Sequence, residues 1–147
     1  MELAEETGVA MDRCVRPEGA LGEPSLAGFS DASTSAMCAV VYVVWDATPH
    51  QEARLILGKV RVAPLNGSSI PRSELQAMVM LVRILTIALR AAAFTCSRVS
   101  LGTYSACCIA ALGRHGATLH PYFSNRVAEI RHSLTGLRQE FGSKIES

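Results

Sequence analysis

Residues 36–45 of this 147-residue chain read AMCAVVYVVW. β-Branched and aromatic side chains in such a run favour a β-strand. Residues 25–31 and 53–63 also have strand character, and turn residues around 31–35 and 46–51 connect the three segments. Because the connections are short, the three strands are predicted to form an antiparallel meander.

The second half of the chain is predicted to be mostly helical, with one more strand. Residues 72–93 follow Pro71, which suits the first turn of a helix. The remaining predicted elements are a strand at 98–102 and helices at 104–112 and 122–141. The order β-β-β-α-β-α-α predicts an α/β fold whose mixed sheet has three antiparallel strands, then a helix and a parallel strand.

The ends of the chain lack the periodicity of regular secondary structure. Residues 1–24 mix Glu, Gly, Pro and Arg and finish in a Gly-Glu-Pro turn. We therefore expect a flexible leader over residues 1–24, one domain over residues 25–141 and a flexible tail over residues 142–147.

Composition excludes several classes of protein. The net charge is +1, so a globally basic nucleic-acid-binding protein is disfavoured and any contact with nucleic acid must be local. The five cysteines include the adjacent pair Cys107 and Cys108 and form no C-x-x-C pattern. A disulfide framework and a zinc knuckle are therefore disfavoured, and a reducing compartment is favoured.

The longest apolar stretch, residues 75–94, is interrupted by Gln76, Arg83 and Arg90. These three residues are spaced by seven and share one stripe of a helix. The pattern predicts a core helix with one solvent-exposed stripe, not a membrane span. Residues 1–8 also lack a signal-peptide pattern. We expect an intracellular protein, cytoplasmic or nuclear, without membrane contact.

Asp31 and Glu74 are the two carboxylates with a candidate chemical role. Asp31 ends the first strand and could simply be a turn residue, while Glu74 could simply be a first-turn carboxylate favoured by the helix dipole. Together, at the end of a strand and the start of a helix, they could share a Mg²⁺ ion, which prefers oxygen ligands. Two-metal phosphodiester hydrolysis needs further carboxylates.

Several sequence blocks resemble one family, the ribonuclease H-like segment of BEL/Pao long-terminal-repeat retrotransposon polyproteins. Besides Tyr42, the blocks that carry the resemblance are GFSDAS (28–33), GKVRVAPL (58–65), IPRSEL (70–75) and NRVAEI (125–130). They occur in the family's order over roughly residues 25 to 133.

The resemblance implies a five-stranded mixed sheet flanked by helices. It also implies four acidic residues that bind Mg²⁺, and cleavage of the RNA strand of an RNA–DNA hybrid. Asp31 and Glu74 match the first two acidic positions.

The chain departs from the family at the other two acidic positions. Where the family reads Thr-Asp-Ser, this chain has Thr103, Tyr104 and Ser105. Tyrosine is neutral at pH 7 and cannot bridge a metal ion as a carboxylate does. The family's fifth strand and its Asn-Pro-Ala-Asp motif are expected to be absent. Two-metal catalysis is therefore disfavoured.

Basic residues near the predicted site are candidates for binding a nucleic-acid backbone, since phosphate contacts need only a local patch. Solvated surface charge is the equally weighted alternative. The candidate nucleic-acid-binding residues are Lys59, Arg61, Arg72, Asn125 and Arg126.

The resulting hypothesis is a retrotransposon-derived ribonuclease H-like domain without nuclease activity that retains weak binding of nucleic acid and of Mg²⁺. Two alternatives stay open: an active Mg-dependent RNA–DNA hybrid ribonuclease, and a non-catalytic protein-interaction module. A sheet without its fifth strand has an open edge, which a homodimer could cover.

Overall fold

A computed structural model describes residues 14–64, 67–92, 95–113, 119–142 and 145–146 of the chain. Most of the predicted leader, residues 1–13, lies outside this described part. The elements are β1 (Ala20–Ala32), β2 (Ala36–Ala47), β3 (Glu52–Val62), α1 (Ile70–Ala91), β4 (Arg98–Thr103), α2 (Ala106–Gly113), α3 (Pro121–Phe141) and β5 (Ile145–Glu146).

The five strands form one mixed sheet in the order β3-β2-β1-β4-β5. β2 runs antiparallel to both β1 and β3, whereas β4 runs parallel to β1. The predicted α/β architecture, with three antiparallel strands followed by a helix and a parallel strand, is confirmed. Since β3 and β1 point the same way, the carboxyl ends of β1, β3 and β4 lie at one end of the sheet.

The prediction that the fifth strand is absent is wrong. Ile145 and Glu146 pair in parallel with Val99 and Ser100 of β4. Gly142 ends α3 with φ at 81°, a conformation that glycine adopts without steric cost, and the chain then returns to the sheet. A two-residue strand is too short to leave a periodic signal in the sequence.

β1 begins earlier than the sequence pattern predicted, at Ala20 and not at residue 25. Its pairing with β2 extends to Ala20 opposite Ala47, with a shift of register between Leu21 and Ser25. Pro24 lies in that irregular segment, where a residue without an N–H is tolerated. Gly22 and Pro24 therefore indicated a turn in the sequence, although the strand continues through both residues.

α1 covers one face of the sheet, which we call the inner face. Met37, Ala39, Val41 and Val43 of β2 project to this face and are buried. The opposite face, called the outer face, carries Phe29 and other side chains that are exposed or half-buried. The core therefore lies between the sheet and α1, with α2 and α3 packed around that helix.

Gly28 of β1 allows α1 to approach the sheet closely. A Cβ atom at residue 28 would lie 2.9 Å from Leu81 Cδ1 and 3.0 Å from Leu101 Cδ2. Leu81 is fully buried at this point. The missing side chain therefore makes room for a leucine of the helix in the middle of the core.

The polar stripe of α1 contacts α3 as well as solvent. Arg126 Nε donates a hydrogen bond to Gln76 Oε1 at 3.1 Å, and Arg90 donates to Glu140 at 3.2 Å. Arg83 forms an ion pair with Glu129 between them. The stripe predicted to face water thus pairs with the neighbouring helix, while its arginines remain more than half exposed.

No helix in the described part of the chain combines the length and the apolarity needed to cross a lipid bilayer. Most apolar residues of α1, the longest of these helices, are buried in the core between the helix and the sheet.

Leu81→Ala is expected to lower the free energy of unfolding by about 2–5 kcal/mol, because it opens a cavity between α1 and Gly28. Ile87→Ala is the matched control on the same helix, since Ile87 is 58% exposed. We expect the control to lose less than about 1 kcal/mol. Urea unfolding followed by circular dichroism measures both, and equal losses would contradict the orientation of α1.

Candidate functional site

The first three acidic positions of the predicted site lie around the end of the sheet where β1 and β4 finish. Ser30 of β1 is opposite Thr103 of β4 in the parallel pairing. α1 also begins at this end, because it follows the short connection that leaves β3. Asp31, Glu74 and Tyr104 are therefore all contributed to the same end of the domain.

The side chain of Asp31 projects from β1 on the outer face. The neighbouring Ser30 is buried and donates a hydrogen bond to Met78 Sδ of α1 at 3.6 Å, so Ser30 points to the inner face. Successive residues of a strand point to opposite faces. Asp31 is exposed, and its Oδ1 accepts a hydrogen bond from the Ala32 N–H at 2.8 Å.

Glu74 is held by Ser105. Ser105 Oγ donates to Glu74 Oε2 at 2.6 Å, a short hydrogen bond of the kind formed with an ionised carboxylate. α1 begins at Ile70, so Glu74 lies in its second turn and not in the first turn as predicted. The pairing therefore ties α1 to the segment that follows β4.

Ser105 also starts α2. Its Oγ accepts a hydrogen bond from the Cys108 N–H at 3.1 Å, the arrangement by which a serine caps a helix N-terminus. One buried hydroxyl thus joins a carboxylate of α1 to the first turn of α2.

Cys108 lies beside this hydrogen-bonded pair. Burial raises the pKa of the Cys108 thiol above its ordinary value, and its side-chain hydrogen bond with Ser105 opposes that rise. The nearby Glu74 carboxylate and Cys107 raise the pKa further. Cys108 is therefore a protonated, weakly nucleophilic thiol near neutral pH.

Tyr104 occupies the third acidic position of the resemblance and projects into solvent, with 92% of the residue exposed. It borders a groove of about 380 Å³ on the outer face, together with Asp31, Phe29 and Tyr42. We call this the outer groove. Tyr104 therefore shares a surface with Asp31, while Glu74 is bonded to Ser105.

The described carboxylates at this end are not clustered as metal ligands. Across the described ranges, no three His, Cys, Asp or Glu side chains come close enough together to hold a metal ion. Asp31 projects from the outer face, and Glu74 accepts its short hydrogen bond from Ser105. Two ions about 4 Å apart require more bridging carboxylates than this pair provides.

Two of the predicted basic residues meet at one aromatic ring. The guanidinium carbon of Arg72 lies 5.1 Å from the centre of the Tyr122 ring, and that of Arg126 lies 5.2 Å from it. Both distances are within the range of cation–π attraction. We call Arg72, Tyr122 and Arg126 the basic cluster. It joins the start of α1 to the start of α3.

The other predicted basic residues lie apart from Asp31. Lys59 pairs with Ala39 and Arg61 pairs with Met37, so both project from β3 on the inner face, where they are exposed. Asn125 is exposed on α3 next to Arg126. Their positions are consistent with solvated surface charge, and their contact with nucleic acid stays a prediction.

Sequence reasoning missed Ser105 and Tyr122. A hydroxyl just before an apolar helix is a signal for capping, but its bond to Glu74 requires the tertiary fold. Tyr122 stands four residues before Arg126, a spacing that places two side chains together on a helix. The sequence has no signal that Arg72 of α1 contacts the same ring.

Comparison with known families gives a match over most of the chain. The family described as the Pao retrotransposon-like RNaseH-like domain matches residues 1–105 of the chain. The chain belongs to this family. The match covers Asp31, Glu74 and Tyr104 of this Pao-family domain. Asn125 and Arg126 lie beyond the matched residues.

Two solved structures are similar to the Pao-family domain. RNase H1 from the halophilic archaeon Halobacterium salinarum NRC-1 is 14% identical, with a TM-score of 0.48 over 78% of this chain and 79% of that chain. LC11-RNase H1 in complex with RNA/DNA hybrid is 12% identical, with a TM-score of 0.48 over 84% and 81%. No curated protein sequence matches the chain.

Ser105→Ala is expected to lower the free energy of unfolding by about 1–2 kcal/mol. The substitution removes the cap of α2 and the donor to the half-buried Glu74 carboxylate. Ser124→Ala on α3 is the control, because Ser124 is exposed, and it should change stability by less than about 0.5 kcal/mol. Thermal and urea unfolding measure both variants, and an unchanged Ser105→Ala protein would rule out this linking role.

Proposed function

We propose that this Pao-family domain binds the phosphate backbone of nucleic acid through the basic cluster and does not cleave it. The observation that carries the proposal is the convergence of Arg72 and Arg126 on Tyr122. Two planar guanidinium groups held near one ring form a compact positive surface. Guanidinium groups suit phosphate because they donate paired hydrogen bonds.

The cluster has donors available for an anion. Arg126 uses its Nε to donate to Gln76, which leaves the two terminal nitrogens of the guanidinium group. In the part of the chain that the structure describes, neither Arg72 nor Arg126 forms an ion pair with a carboxylate, unlike Arg83 and Arg90. A phosphate placed between the two guanidinium groups would reduce their mutual repulsion.

Binding of this kind is local and weak. The chain has a net charge of only +1, so long-range attraction to nucleic acid is small. Lys59, Arg61 and Asn125 are exposed and are proposed as additional backbone contacts. Phosphate contacts position a protein on nucleic acid without reading its sequence, so little sequence preference is expected.

The proposed absence of cleavage rests on the carboxylates. Tyr104 stands where the family has a third acidic residue, and Glu74 is engaged by Ser105. Asp31 and Glu74 could at most hold one weakly bound Mg²⁺, an ion that often keeps several of its waters. Without a second ion, neither activation of the attacking water nor stabilisation of the leaving oxygen is complete.

Arg72→Ala combined with Arg126→Ala is expected to weaken binding of a fluorescent RNA–DNA hybrid and to flatten its salt dependence. Removing one phosphate contact lowers the slope of log K against log salt by about 1, so the double variant should lose about 2. Fluorescence anisotropy at several salt concentrations provides the measurement. The control is Arg90→Ala on α1, whose guanidinium pairs with Glu140. Identical slopes for wild type and double variant would contradict the proposed interface.

The wild-type chain is expected to leave a labelled RNA–DNA hybrid intact with Mg²⁺ or Mn²⁺, even at protein concentrations that saturate binding, because two carboxylates cannot hold two ions. Denaturing electrophoresis detects the products. Cleavage that disappears in Asp31→Asn would overturn this prediction and favour the alternative of an active hybrid ribonuclease.

A further inference from the structure

The outer groove has the chemistry of a binding site and lies away from the basic cluster. Among the described helices, α1 covers the inner face of the sheet, while the groove opens on the other side. Phe29 is 48% exposed there, and Tyr104 is almost wholly exposed. Large aromatic side chains left in water on a sheet face commonly mark a contact surface.

The aromatic side chains of the groove are partly preorganised. The rings of Phe29 and Tyr42 meet edge to face, with centres 6.4 Å apart and planes at 64°. Gly102 of β4 permits this arrangement, since a Cβ atom at residue 102 would lie 2.9 Å from Phe29 Cδ1. The ring of Phe29 is thus seated over the backbone of β4, and Tyr104 follows two residues later.

The charge of the groove is negative. Asp31 is the one acidic residue among the eight that line it, and none of the eight is Lys, Arg or His. Its Oδ1 accepts a hydrogen bond from the Ala32 N–H, which leaves acceptor capacity on the carboxylate. A phosphate-bearing ligand would meet this carboxylate without a nearby cation among the lining residues, so the groove disfavours anions.

We propose that the outer groove binds the guanidinium group of an arginine side chain from a protein partner. Aromatic faces attract a cation, and a carboxylate accepts two parallel hydrogen bonds from a guanidinium group. The planar guanidinium stacks on a ring and is more weakly hydrated than an ammonium group, so arginine is preferred over lysine. The groove volume of about 380 Å³ accommodates one such side chain.

This site is independent of the proposed binding of nucleic acid. Arg72, Tyr122 and Arg126 belong to α1 and α3, on the inner side of the sheet, whereas Phe29, Asp31 and Tyr104 belong to the outer face. The two surfaces also carry opposite charge. An experiment that contradicts one proposal therefore does not contradict the other.

Titration of the full ¹⁵N-labelled chain with the peptide acetyl-Ala-Arg-Ala-amide tests the proposal by NMR. We expect saturable shifts of the amide signals of Phe29, Asp31, Gly102 and Tyr104. The same peptide with citrulline, which has the shape of arginine without its charge, should bind about tenfold more weakly or worse. A lysine peptide should bind several-fold more weakly than the arginine peptide.

Variants locate the contact within the groove. Asp31→Asn should weaken binding of the arginine peptide about tenfold, and Tyr104→Ala should weaken it several-fold. Asp46→Asn is the matched control, because Asp46 is an exposed aspartate at the end of β2 that accepts a hydrogen bond from Gln51. It should leave binding of the peptide unchanged. The spectrum of each free variant verifies that it is folded.

Three outcomes would overturn the proposal. The first is equal binding of the arginine and citrulline peptides, and the second is an Asp31→Asn variant that binds the arginine peptide as wild type does. The third is a stronger and saturable response of the same amide signals to guanosine or cytidine monophosphate, which would identify the groove as a surface for stacking nucleobases.

Discussion

The packing of Leu81 against Gly28 fixes the position of α1 on the sheet, and most other features of the domain follow from that position. Because the helix lies over β1 and β2, its start reaches the end of the sheet where β4 finishes. Glu74 can therefore accept the hydrogen bond from Ser105. The same placement turns the polar stripe of α1 towards α3. A larger residue at position 28 would displace the helix and both of these connections with it.

The parts of the fold that depend on long periodic patterns could be predicted from the sequence. The strand over residues 36–45 and the helix beginning near Pro71 both appear in the structure, and their order predicted the mixed sheet. The parts that depend on tertiary pairing could not. β1 extends through Pro24 because β2 offers a partner there, and β5 forms because β4 has a free edge.

For the candidate site, too, some features could be predicted from the sequence and others depend on tertiary contacts. Its residues could be selected from the sequence, since Asp31 and Glu74 fall in blocks that resemble the Pao family and Tyr104 marks a departure from that pattern. Their orientation could not, because one residue of difference along β1 decides which face of the sheet a side chain occupies. Ser105 and Tyr122 were missed for a related reason. Each acquires its role only when a side chain from another element, Glu74 or Arg72, is placed beside it.

The side-chain contacts between α1 and α3 are spread along both helices and relate the positions of one to those of the other. Gln76 and Arg90 are fourteen residues apart on α1, and their partners Arg126 and Glu140 are also fourteen residues apart on α3. Together with Arg83 and Glu129, the pairs follow the same order along both helices, so the helices run in the same direction. Each contact is weak by itself, but a slip of one residue would misalign the stripe at both ends. A small set of surface contacts can thus favour one alignment of the helices while adding little stability.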